Sequence, residues 1–121
     1  MDNVYNFTIQ NQDAPMVRVE ADRDNRKVTF TLLTDDRNYL PVELYGVRGD
    51  RNNPTFEDLE RFIRNRCFPK THIALDDNLR LLGLSKYDIW DIMRANDGVF
   101  CTDSMWCKFD GVNKTWEEVQ T

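Results

Sequence analysis

Nucleophilic chemistry needs a serine, threonine or cysteine beside a base, and this chain offers a single histidine, His72. His72 follows Cys67 by five residues with Pro69 between them, and no recognisable nucleophile motif flanks either residue. A cysteine enzyme built on the pair is one functional reading, and it requires a thiol of depressed pKa. The three cysteines, Cys67, Cys101 and Cys107, are odd in number and lack Cys-x-x-Cys spacing, so reduced and mostly buried thiols are expected. Zinc would need four ligands at characteristic spacing, which scattered thiols and one histidine do not supply. Asp76, Asp77, Asp88, Asp91, Asp97 and Asp103 form no Asp-x-Asp-x-Asp-Gly loop, so they read as caps and solvent-facing charges. The five glycines form neither Gly-x-Gly-x-x-Gly nor a Gly-Lys-Ser/Thr ending, so no phosphate cradle is expected. The expectation is a non-enzymatic chain with no catalytic residue, metal or cofactor.

Binding chemistry is better represented. Arg61, Arg64, Arg66 and Lys70 form the one basic concentration, at the end of a candidate helix and in the turn after it. A helix-turn-helix unit would set such cations on DNA phosphates. Against this, Glu57, Asp58 and Glu60 share the first helix, and Asp88 and Asp91 lie on the third, the natural element for a groove. The plainer reading is that the arginines pair with neighbouring acids. Trp106 and Lys108 fall on the strand face opposite Met105, Cys107 and Phe109. Trp106 is then either an exposed interface anchor or, with Trp116, an indole that closes the core. The candidate binding residues are Arg61, Arg64, Arg66, Lys70, Trp106, Asp88 and Asp91.

The elements that position these groups follow from periodicity. Tyr5, Phe7 and Ile9 alternate with polar residues, as do Val17, Val19, Ala21 and Val28, Phe30, Leu32, which predicts three strands with one apolar face. Asp22-Arg23-Asp24-Asn25-Arg26 predicts a hairpin turn between the second and third. Tyr39 to Leu44 reads as an extended edge piece containing Pro41, and Gly46 to Pro54 as a loop. Thr55 with Asp58 predicts a capped helix carrying Phe56, Leu59, Phe62 and Ile63, which ends before Pro69. Leu75, Leu79 and Leu82 predict a second helix stopped by Gly83. Ser85, with Asp88 in the first turn, opens a third, with Ile89, Ile92 and Met93 inward and Asp97-Gly98 as its end. Val99 to Cys101 and Met105 to Phe109 read as short strands, with Asp110-Gly111 as a turn, and Thr115 with Glu118 caps a last helical turn. Strands, helices, then strands describe a single α+β domain over residues 1–121, with an N-terminal antiparallel sheet, three central helices and C-terminal strands completing the sheet.

With 121 residues, 40% hydrophobic and 31% charged, the chain can bury a core, and its net charge of −5 repels a phosphate backbone. No apolar run approaches a membrane span and the N-terminus lacks the order of a signal peptide, so a cytoplasmic protein with no membrane contact is expected.

From Phe62 to Val119 the chain carries further signals. Arg64-Asn65-Arg66-Cys67-Phe68-Pro69-Lys70-Thr71, Leu82-Gly83-Leu84-Ser85-Lys86-Tyr87-Asp88, Asn96-Asp97-Gly98-Val99 and Asp103-Ser104-Met105-Trp106-Cys107-Lys108-Phe109 resemble small proteins of Firmicutes mobile elements. Those proteins are similar to the N-terminal region of HipA-like kinases. The kinase activity of that family resides in a larger domain, so the resemblance carries over no catalytic residue. It implies a phage or mobile-element interaction module, an inhibitor or regulator of a host nucleic-acid-handling defence enzyme of the anti-CRISPR or anti-restriction kind. The partner implied is a basic nucleic-acid-binding enzyme. The alternative is a transcriptional or toxin–antitoxin regulator that binds DNA directly through its basic patch.

Overall fold

A computed structural model describes residues 3–34, 41, 54–67, 74–100 and 104–119. Its elements run β1 (Val4–Asn11), β2 (Ala14–Asp22), β3 (Lys27–Leu32), α1 (Phe56–Asn65), α2 (Leu75–Leu81), α3 (Ile89–Ala95), β4 (Met105–Phe109) and α4 (Trp116–Val119). The four strands form one antiparallel sheet in the order β3-β2-β1-β4, so the fold is α+β, with the C-terminal strand completing an N-terminal meander.

Alternation decides which face of the sheet is dry. Tyr5, Phe7 and Ile9 of β1 and Val17, Val19 and Ala21 of β2 are all buried, and the register sets Phe7 opposite Val19 and Phe109. The register slips between Ile9 and Gln10, and these consecutive residues are both buried. Such a bulge re-aims side chains that strict alternation would send to opposite faces. Onto the apolar face pack Phe56, Leu59, Phe62 and Ile63 of α1, Leu79 of α2 and Trp90, Ile92 and Met93 of α3. Burying each large side chain stabilises the fold by about 1.5–3 kcal/mol.

Helix starts are set by caps. Thr55 accepts from the Asp58 N–H at 3.1 Å while the Asp58 carboxylate accepts from the Thr55 N–H at 2.9 Å, a reciprocal capping box. That bond to the Thr55 backbone, with the Arg61 guanidinium alongside, holds the Asp58 carboxyl below its ordinary pKa. The third helix starts later than its sequence suggests: Asp88 is the N-cap itself, accepting from the N–H groups of Trp90 and Asp91. An extended residue with a short carboxylate fits that position better than Ser85, which lies three residues too early to reach those amides. α2 has no side-chain cap and is closed at its end by Gly83 at φ +77°.

Val99 and Phe100 join no strand of the described sheet. The Asp97-Gly98 turn there lies against β4, with Cys107 N–H donating to Asp97 O at 2.7 Å. Cys101, the Tyr39 to Leu44 piece apart from Pro41, and the Gly46 to Pro54 loop apart from Pro54 lie outside the described residues. No helix among the described residues is long and apolar enough to cross a membrane.

Candidate binding surface

The three described cations among those singled out by sequence, Arg61, Arg64 and Arg66, do not form one patch. Arg61 and Arg64 are exposed on α1, and Arg61 is paired with Asp58 of its own helix. Arg66 is only 5% exposed. Its Nε donates to Gly98 O, its Nη2 donates to Met105 O at 2.6 Å, and its guanidinium lies over the ring of Phe62. It therefore holds the end of α1 to the Asp97-Gly98 turn and to β4, and has no donor face to offer a phosphate. Lys70, with His72, lies outside the described residues.

The two aspartates are internal braces. Asp88 caps α3 and also receives Arg23, from the turn between β2 and β3, at 2.8 Å. Asp91 accepts from the Tyr5 hydroxyl at 3.1 Å. Burial, with Asp91 beside it, pushes the Tyr5 phenol above its ordinary pKa. Arg94 stacks on the other side of this group, 4.1 Å from the Tyr5 ring centroid, and reaches Val4 O at 3.4 Å. Asp91 and Arg94 of α3 thus both engage β1, although Arg94 stays exposed.

Trp106 lies on the face opposite the core, as its position in β4 requires, facing Gln10 across the register. It is nevertheless fully buried, and its indole N–H donates to Gln12 O at 2.6 Å. As an exposed anchor it is therefore excluded. The physical reason is the β1–β2 turn, where Gln12 O takes the Trp106 indole N–H and the Asp13 carboxylate accepts from the backbone N–H of Trp116 at 2.9 Å. Buried tryptophan is stable where its N–H finds an acceptor.

The thiol of Cys67 is buried and held in its protonated form. It is 8% exposed, donates to Ile63 O at 3.2 Å, and burial pushes its pKa up to about 12 despite the neighbouring arginines. At neutral pH a thiolate is then a negligible fraction. Among the described residues no group of three His, Cys, Asp or Glu side chains is placed to hold a metal ion.

The remaining surface carries both signs, with Lys27, Arg64, Lys86 and Arg94 exposed and outside the ion pairs among the described residues. Of the described cations, Arg18, Arg23, Arg26, Arg61, Arg80 and Lys114 are engaged in ion pairs, with Asp110, Asp88, Glu57 and Glu60, Asp58, Asp77 and Asp97 respectively. The bidentate Arg18–Asp110 pair holds the Asp110 carboxyl below its usual range. Asp13, Glu20, Asp24, Asp76, Glu117 and Glu118 are exposed and have no ion-pair partner among the described residues. Leu81 of α2 is 85% exposed. Its place off the Leu75-Leu79-Leu82 stripe was the sequence signal for that exposure.

Comparison of the chain with protein-family models, with curated proteins and with solved structures gave no match.

Proposed function

We propose that this chain is a non-catalytic, cytoplasmic protein of a phage or mobile element, which binds and inhibits or regulates a basic, nucleic-acid-handling defence enzyme of its host. One observation carries the reading: the chain is acidic overall, and Asp13, Glu20, Asp24, Asp76, Glu117 and Glu118 are exposed without an ion-pair partner among the described residues, against the exposed Lys27, Arg64, Lys86 and Arg94. With a net charge of −5, such a surface is attracted to the basic channels that hold nucleic acid and repelled by nucleic acid itself. The exposed Leu81 on α2, which also carries Asp76 and the Asp77–Arg80 pair, supplies an apolar contact.

Direct DNA binding through Arg61, Arg64, Arg66 and Lys70 is the other reading. The burial of Arg66 and the pairing of Arg61 with Asp58 weigh against it. Expression of the chain in a host with an active CRISPR or restriction system tests the proposal. Phage plating efficiency rises by about tenfold or more if a defence enzyme is inhibited. Unchanged plating, together with retardation of a DNA duplex by the purified chain at low salt, would transfer the assignment to the DNA-binding reading.

A further inference from the structure

The two edges of the sheet are finished differently. On β4, Met105 and Cys107 turn their backbone groups away from β1, and both are used: Met105 O accepts from Arg66 and Cys107 N–H donates to Asp97 O. On β3, Leu33 N–H donates to Met16 O at 2.8 Å, which fixes the phase of the ladder. Antiparallel pairing alternates, so Lys27, Thr29 and Thr31 turn toward β2, while Val28, Phe30 and Leu32 present their N–H and C=O groups to the open side. Among the described residues nothing pairs with those groups.

Nor does β3 carry the features that blunt an edge. Lys27–Leu32 contains no proline, its register with β2 runs without a bulge, and Lys27 is its single charge. Val28, Phe30 and Leu32 belong to the apolar face yet are only half-buried, and Leu33 is 48% exposed.

We propose that β3 is the interface of a symmetric dimer, in which this strand pairs antiparallel with β3 of a second copy of the chain, centred on Phe30. The occupant follows from the strand's own pattern. Val28-Thr29-Phe30-Thr31-Leu32 reads apolar, Thr, Phe, Thr, apolar from either end. Pairing about Phe30 sets Phe30 against Phe30 of the second copy, Val28 against Leu32, and Thr29 against Thr31. These are matched cross-strand pairs of the kind that stabilise sheets. The same register matches edge-facing residues with edge-facing residues and keeps both apolar faces on one side, so the two sheets continue as one. Lys27 falls opposite Leu33, so no like charges meet and the lysine stem covers an exposed leucine. An isologous contact of this kind closes after two copies.

A single strand ladder buries less than the roughly 1,000 Å² of a standard interface, so the dimer is expected to be concentration-dependent up to about 1 mM. Amide hydrogen exchange on the intact chain reads it directly. Protection at the Phe30 and Leu32 amides rises with concentration, in step with a doubling of mass by analytical ultracentrifugation. Thr29→Lys with Thr31→Lys sets lysine against lysine across the interface and abolishes the doubling. Thr29→Lys with Thr31→Glu sets lysine against glutamate and preserves it. A monomer over the whole concentration range overturns the proposal. So does protection at Phe30 that is independent of concentration, or a dimer indifferent to the double-lysine variant. Should the double-lysine variant fail to fold, the exchange of the unsubstituted chain decides alone.

Discussion

Arg66 and Met105 are joined across the end of the sheet, with Nη2 of the arginine donating to the Met105 carbonyl oxygen at 2.6 Å. The same guanidinium donates through Nε to Gly98 O, so one side chain secures the end of α1, the Asp97-Gly98 turn and the outer edge of β4. A residue that sequence places in a basic patch is in fact an internal staple. Buried guanidinium is retained only where fixed acceptors replace its lost water, and backbone carbonyls do so here.

Arg66→Ala is expected to destabilise the fold by about 2–4 kcal/mol, because it leaves buried carbonyls without donors. Arg66→Lys should not restore this, since a single ammonium cannot reproduce the fork. Arg61→Ala, at an exposed pair, is expected to cost less than about 1 kcal/mol. Urea unfolding of the three variants checks the order, and equal effects at Arg61 and Arg66 would contradict the staple.

Glycine substitutions separate two kinds of turn. At Gly98, with φ +64°, an added Cβ meets Cys107 Sγ at 2.7 Å and Cys107 Cβ at 3.0 Å, so Gly98→Ala is strained in both backbone and packing. At Gly83, with φ +77°, nothing lies within 4 Å, and Gly83→Ala carries the backbone term alone, about 1 kcal/mol. Thermal unfolding should therefore show Gly98→Ala as the larger loss by at least about 1 kcal/mol.

The Cys67 thiol gives an alkaline signature. Its pKa is raised from 9.0 in the unfolded chain to about 12 in the fold. Deprotonation then favours the unfolded chain as pH climbs above 9.0, so this contribution to stability is intact below that value and is lost progressively toward about 12. Cys67→Ala should flatten the loss between those limits. Alkylation by iodoacetamide at pH 8 should be slow for the native chain and fast in denaturant; rapid native labelling would revive the cysteine-enzyme reading.

On the acid side, the capping box makes the opposite prediction. Asp58 and Asp110 are held below their ordinary value of 3.8, so their contribution is present above that pH and is lost as pH falls further. Thr55→Ala removes the reciprocal cap and is expected to cost about 1 kcal/mol at neutral pH. Chemical denaturation at pH 7 and pH 3 should show the penalty of Asp58→Asn shrinking at the lower pH, because the bond from the Thr55 backbone N–H that lowers the Asp58 pKa survives Thr55→Ala.

Much of the fold was legible because period two and period 3.6 patterns report burial directly. Tyr5-Phe7-Ile9, Val17-Val19-Ala21 and Thr55 with Asp58 each led to the observed element. What escaped were long-range uses of polar groups. Nothing local marks Arg66 as a donor to Gly98 and Met105, 32 and 39 residues away, or Trp106 as a donor to Gln12. The cap of α3 was misplaced because Ser85 and Asp88 are both good caps, and Arg23 reaching Asp88 from the β2–β3 turn favours the second. The candidate site suffered most, since a charge run looks the same in sequence whether its members face solvent or the core.

The central proposal, that this chain of net charge −5 docks on a basic nucleic-acid-handling enzyme, is tested most directly by competition. Fluorescence anisotropy of a labelled duplex held by a CRISPR or restriction effector of the host should fall as the chain is added, and the effect should weaken as salt is raised. Anisotropy that stays constant at saturating chain, or a duplex that binds the chain itself, would contradict the account.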